Sequence, residues 1–308
     1  MNAKRAGGFP AWVLGFGLAI GLLAPEIVRA EVGAAIAPGT ATPLSVFIVN
    51  AVTEDPSPIT GVWRKLGSID EFRVTLNPQG EANGDGCPSL LVDASSGAVV
   101  AAWSRNSANG FDVVVSRFVN GAWTAPQVVA GSPANELDPQ LVLDPDGSVH
   151  VFYWVDGATR QVLHAVAPAD LSSWSAAVPV SQPGQPACRP AGAFYNGVLR
   201  VAYEVHNFGT GNTPRQVVLA RFENGGFTPE VVAMTNNLGD VRPQVHSHAG
   251  RLWVDWVDHE TTGGSGELAW TRQNAQGQWE AIRYEPFANR EQRDYLTRGG
   301  ARMKAIQQ

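Results

Sequence analysis

Four prolines, Pro88, Pro139, Pro190 and Pro243, open similar stretches of chain at steps of 51, 51 and 53 residues. A fixed period of this length marks an array of equivalent supersecondary units and constrains the fold more than any single motif. The segments begin Pro88-Ser-Leu-Leu-Val-Asp93, Pro139-Gln-Leu-Val-Leu-Asp144, Pro190-Ala-Gly-Ala-Phe-Tyr195 and Pro243-Gln-Val-His-Ser-His248. Each is followed by a glycine, Gly97, Gly147, Gly197 or Gly250, placed to turn one strand tightly into the next.

Beyond that glycine the apolar positions recur every second residue. Two residues on stand Val99, Val149, Leu199 and Leu252; four on, Ala101, Val151, Val201 and Val254; six on, Trp103, Tyr153, Tyr203 and Trp256. A period of two with an aromatic in one slot predicts a half-buried strand. The third strand carries the closest internal match. The stretch from Val113 to Trp123 aligns without a gap to that from Val217 to Phe227, and both contain an Asn-Gly hairpin pair, Asn120-Gly121 and Asn224-Gly225. Fourth strands are expected at Gln127, at Ala177 to Val180, at Glu230 and at Glu280 to Tyr284. Trp123, Trp174, Phe227 and Trp279 share one place in the repeat and are expected to wedge between neighbouring units.

Four short strands in each ~50-residue unit is the layout of a propeller blade. The sequence therefore predicts an all-β chain folded as a β-propeller of about five four-stranded blades, with four or six blades as alternatives. The propeller is expected over residues 31–289, with blades near 41–87, 88–138, 139–189, 190–242 and 243–289. The first is the least regular; its strands are read at Pro43 to Val49, Gly61 to Leu66 and Phe72 to Leu76. Residues 290–308 are polar, contain Arg290, Arg293, Arg298, Arg302 and Lys304, and are expected to be a disordered tail.

The N-terminus reads as an export signal. Lys4 and Arg5 precede an uncharged apolar run from Trp12 to Leu23, and Val28-Arg29-Ala30 sets small residues where a signal peptidase cuts. Residues 1–30 are thus expected to be removed, delivering the chain to the periplasm or the cell exterior. The run is shorter than the ~20 residues a spanning helix needs, so no membrane anchor is expected after cleavage. The chain carries a net charge of −6, and the leader takes three cations and one anion with it. So acidic a chain is a poor match for nucleic acid. Cys87 and Cys188 are the only cysteines; export would permit a disulfide between them, but their places in non-adjacent units leave the pairing open.

The pattern Pro-x-Leu-x-x-Asp-x-x-Gly, an apolar strand ending in Trp or Tyr, and an Asn-Gly-x-Trp turn resembles the sialidase-like propellers with Asp-box (BNR) repeats, over about residues 85–285. The resemblance implies the propeller architecture. It does not extend to the family's chemistry: Ser116 precedes Trp123 at Asp-box distance, but Phe118 stands in the Asp slot and the glycine is displaced to Gly121. The family's Arg-Ile-Pro motif meets Cys87-Pro88 here, while Arg189-Pro190 and Arg242-Pro243 lie in later blades. Sialidase activity is therefore not carried over.

Inner strands line the axis of a propeller, so the residue before each proline should reach one mouth of the channel. These are Cys87, Asp138, Arg189 and Arg242; two positions on come Ser89, Gln140, Ala191 and Gln244. Asp138, Gln140, Arg189, Arg242 and Gln244 form the expected ligand site. Two guanidinium forks suit an anionic or sugar ligand, while an Asp138 paired with either arginine would merely plug the channel. Catalysis would need a second carboxylate, for which Glu204, at a strand end, is the candidate beside Asp138, with Asp258 as a further one. Otherwise Glu204 is a surface residue. His246 and His248 share a strand face, with His206 and His259 near them in the repeat, but a third ligand at diagnostic spacing is missing and no metal is expected. Neither a phosphate-binding glycine loop nor a Gly-x-Ser-x-Gly elbow occurs, and no cofactor is expected. The main reading is an exported non-catalytic propeller that binds a glycan, another anionic ligand or a protein partner. A sialidase-like glycoside hydrolase and a structural scaffold are the alternatives.

Overall fold

The computed structural model describes residues 31–37, 45–51, 59–65, 71–76, 85–93, 98–120, 122–206, 215–235, 241–258 and 267–286. The leader, the tail beyond residue 289, Gly97, Gly121 and His259 lie outside them. No helix among the described residues is long and apolar enough to cross a membrane.

The described chain forms five antiparallel sheets in sequence order. The first contains β1 (Glu31–Ala37), β2 (Ser45–Ala51), β3 (Ile59–Lys65) and β4 (Glu71–Thr75). The second contains β5 (Gly86–Val92), β6 (Val99–Ser107), β7 (Gly110–Val119), β8 (Ala122–Trp123) and β9 (Gln127–Ala130), the last two both pairing with β7. The third holds β10 (Asn135–Leu143), β11 (Val149–Asp156), β12 (Gln161–Ala167) and β13 (Val178–Pro179). The fourth holds β14 (Ala187–Tyr195), β15 (Val198–Val205), β16 (Arg215–Glu223) and β17 (Gly226–Thr235). The fifth holds β18 (Gln244–His248), β19 (Arg251–Asp258), β20 (Glu267–Arg272) and β21 (Arg283–Pro286). Each sheet is a meander, and the leading strands β1, β5, β10, β14 and β18 neighbour one another in turn. The chain is a five-bladed β-propeller.

The first blade starts earlier than expected. Its leading strand is Glu31–Ala37, and the strand expected from Pro43 to Val49 is met, within the described residues, by the second strand, Ser45–Ala51. The repeat hid this strand because Glu-Val-Gly-Ala-Ala-Ile-Ala lacks the opening proline of the other four. The second strands also depart from the half-buried expectation: the first six residues of β6 and of β11 are all buried. A blade is sandwiched between two others, so both its faces meet apolar neighbours.

Faces sort the core into seams. Leu91, Val100 and Ala102 of the second blade pack with Leu141, Val151 and Tyr153 of the third, and Trp174 closes this cluster. Phe152 and Val162 of the third meet Leu199, Val201 and Tyr203 of the fourth, with Phe227 beside them. Ala202 and Leu219 of the fourth meet Val254 and Trp256 of the fifth, with Trp279 beside them. The recurrent aromatics thus fill the gaps between blades, as large rings do well. Turns follow the sequence signals: Asn196-Gly197 and Asn224-Gly225 hold positive φ at both residues, as type I′ hairpins need.

Candidate functional site

The residue before each repeat proline has an unusual backbone. Cys87, Asp138, Arg189 and Arg242 have φ of 54°, 51°, 54° and 46°, in the left-handed region where non-glycine residues are uncommon. At the first three the strand register also shifts, between Gly86 and Ser89, Leu137 and Gln140, and Cys188 and Ala191. Each of these is a β-bulge, a device that re-aims a side chain. All four residues are half-buried and all four following prolines are buried. Proline suits the spot because it has no N–H to lose from the ladder. The strands accordingly run through the proline; instead of opening β5, β10 and β14, the prolines sit inside them, two to four residues beyond the first residue of each strand.

Glu204 gathers the fourth and fifth blades together. On β15 it shares a face with Ala202, turned toward the fifth blade, and it is wholly buried. Arg215 Nη1 donates to its Oε1 at 2.6 Å, and Arg189 Nη1 donates to Oε2 at 3.3 Å. The backbone N–H groups of Val241 and Arg242 also donate to Oε2, at 3.1 and 3.4 Å. One carboxylate therefore holds the arginine of one pre-proline position and the backbone at the next. Glu204 is not the surface residue that its strand-end position suggested, because the arginines offset the cost of burying its charge.

Asp138 accepts a hydrogen bond from Trp154 Nε1 at 2.8 Å. Another indole–carboxylate pair occurs one blade earlier at different repeat positions, where Trp103 Nε1 donates to buried Asp85 at 2.9 Å and the Asn106 N–H donates to its other oxygen. Burial pushes the Cys188 thiol far up, and Glu204, Arg189, Asp138 and Arg160 all act on it electrostatically. Burial also lowers His206, helped by Arg215, Arg160 and Arg189 and opposed by Glu204. These couplings place Asp138, Arg160, Arg189, Glu204, His206 and Arg215 in one neighbourhood.

Of the expected ligand residues, the structure brings Arg189 and the Arg242 backbone together at Glu204 and sets Asp138 near them. Gln140 lies elsewhere: it is buried, and its amide donates to Pro139 O at 2.7 Å. The bulge breaks the alternation that would have aimed it with Asp138. Gln244 is half-buried opposite Asp255. Asp258 is buried at the end of β19. Cys87 and Cys188 are not joined by a disulfide. His246 turns to Asp255, at 3.2 Å, rather than to a ligand set, and no group of three or more metal-ligating side chains occurs among the described residues. Arg215, Asp85 and Arg160 escaped the repeat-based reading because none stands at the slot before a repeat proline.

No protein-family model matches the sequence, and no curated protein matches it. Solved structures do. The GH93 α-L-arabinofuranosidase of Fusarium graminearum in complex with arabinobiose is 15% identical, over 85% of this chain and 83% of that one, at a TM-score of 0.57. The α-L-arabinanase of Penicillium chrysogenum complexed with arabinobiose is 16% identical, over 84% and 81%, at 0.55. A protein of unknown function from Dyadobacter fermentans is 13% identical, over 84% and 82%, at 0.59. At these identities the likeness is one of fold. The main functional expectation, a non-catalytic binder, is not the one these neighbours favour: the two whose activity is named are glycoside hydrolases. The sialidase-type resemblance reduces to the coarser statement that this is a propeller similar in fold to arabinan-degrading enzymes.

Proposed function

We propose that this chain is a glycoside hydrolase acting on α-L-arabinofuranose-containing glycans, with its reacting groups at the mouth ringed by the four left-handed residues that precede the repeat prolines. The observation that carries the reading is the meeting of Arg189, the Arg242 backbone and Arg215 on a buried carboxylate, beside a half-buried Asp138 set in a strained bulge. Strained backbone of this kind clusters at functional sites. Asp138 is assigned as a reacting carboxylate, oriented by the Trp154 indole. Glu204 is assigned as a positioning residue: four donors occupy its oxygens, which suits holding the arginines and the blade-five backbone in place. Arg189 and Arg242 would hold the sugar. The expected leader would deliver the enzyme to its polysaccharide outside the cytoplasm.

The test is hydrolysis of 4-nitrophenyl α-L-arabinofuranoside and of linear arabinan by the purified chain. Activity on either is expected, and Asp138→Asn is expected to lower kcat at least ~100-fold with the circular-dichroism spectrum unchanged. Inactivity on both, and on a panel of other aryl glycosides, would end this reading.

A further inference from the structure

The seam between the third and fourth blades holds a pair of histidines that the proposed chemistry does not use. His150 on β11 and His164 on β12 are both buried, with rings stacked 13° from parallel and His150 Nδ1 2.8 Å from His164 Nε2. His150 Nε2 lies 3.3 Å from Asp144 Oδ2. The fourth blade answers with aromatic rings. Phe194 packs edge-on against His150, Phe227 edge-on against His164, and Phe222 lies tilted beside it. Phe152 of the third blade stacks on His164 from its own sheet, at 4.8 Å.

Charge near this pair is one-sided. Asp144 and Asp146 act on His150 from their turn, and His150 is the one group that acts electrostatically on His164. On the fourth blade's facing side the titratable groups among the described residues are Tyr203 and Cys188, and burial keeps both neutral. Burial therefore lowers His150 against the pull of Asp144 and Asp146, and drives His164 down to about 3.

His150 Nε2 makes an ion-pair contact with Asp144, at 3.3 Å, without hydrogen-bond alignment; the pull of that carboxylate selects the tautomers of the neutral pair. The Asp144 carboxylate calls for a proton on His150 Nε2, so His150 Nδ1 accepts from His164 Nε2–H. His164 Nδ1 is then a bare lone pair, buried with no hydrogen-bonding partner. Taking up one proton reverses this arrangement. The proton binds His164 Nδ1, and the Nε2 proton moves to His150 Nδ1. The positive charge rests on His150 beside Asp144, and an N–H without an acceptor is left among the phenylalanines. Burying an unpaired donor is unfavourable, and separating the blades relieves it.

We propose that the Asp144–His150–His164 relay is an acid-sensitive latch between the third and fourth blades, closed when both rings are neutral and released on proton uptake. The proposal is independent of the hydrolase reading. Amide hydrogen exchange on the purified chain at about pH 7 and about pH 4.5 tests it. Protection in β11, β12 and β14 is expected to fall at least ~10-fold more than in β19 and β20. In His164→Phe, which keeps a ring in the aromatic cage, that difference is expected to vanish. Loss spread evenly over the blades, or an unchanged loss in the variant, would overturn the latch. If the variant does not fold, imidazole nitrogen-15 spectra of the unsubstituted chain decide: neutral rings with Nε2–H on both at about pH 7 support the relay, and an Nδ1–H tautomer of His150 refutes it.

Discussion

Glu204, on the fourth blade, lies within its seam with the fifth, and His164, on the third blade, lies within the seam on the fourth blade's other side. Both sit in surroundings that disfavour charge, yet they solve the problem differently. Glu204 brings compensation from two strands and the blade-five entry, through Arg189, Arg215 and two backbone N–H groups. His164 has one polar contact, His150, and is otherwise packed on Phe152, Phe222 and Phe227. The first arrangement pairs a buried carboxylate with cations and uses it as an anchor; the second keeps a titratable group neutral and makes the seam responsive to pH.

The comparison breaks most directly at Glu204. Glu204→Ala would leave the Arg215 guanidinium, which is almost wholly buried, without its carboxylate. A loss of about 3–5 kcal/mol in urea unfolding is expected; a change within error would show that the anchor holds nothing. The histidine seam should fail with acid instead. The folded pKa of His164, about 3, lies below its unfolded value, so between about 3 and about 6.5 the unfolded chain binds more protons. Its contribution is complete above about pH 6.5 and is lost as pH falls toward 3, amounting to a few kcal/mol. Unfolding midpoints measured across that range should fall steadily, and a flat profile would contradict this.

Smaller changes sharpen the contrast within each seam. A methyl at Gly192 would come within 2.8 Å of Phe152 and Val142, so Gly192→Ala should overpack the histidine seam. About 1–3 kcal/mol of destabilisation is expected, with the pH dependence retained. Trp154→Phe removes the donor to Asp138 and should cost about 1–2 kcal/mol by denaturant titration; it should also lower turnover if Asp138 reacts. Ala249, exposed with φ of 49°, occupies a turn position that asparagine fills at Asn196 and Asn224. Ala249→Asn should therefore stabilise by about 0.5 kcal/mol, read as a small rise in Tm.

How much of this was legible depended on whether the repeat spoke for the residue. The equivalence of Cys87, Asp138, Arg189 and Arg242 could be read from four prolines, and all four share one backbone conformation. That conformation itself could not be read, since pre-proline positions ordinarily favour extended backbone. Glu204 stands where Ser104, Trp154 and Val257 stand in the other blades, so nothing in the pattern marked it as buried and paired. Arg215 follows a stretch with no counterpart at fixed spacing. The histidines are fourteen residues apart, and only the register that sets Phe152 opposite His164 brings His150 diagonally onto it.

By itself the sequence determined the all-β class, the ~50-residue module and the aromatics that fill the seams, because every blade must bury the same two faces and repeats the solution in its residues. Only the tertiary structure decided that the first blade begins at Glu31, that Glu204 joins two blades, and which histidines meet. Those outcomes depend on contacts between strands and blades, and the distance between two side chains across a seam has no counterpart in their separation along the chain.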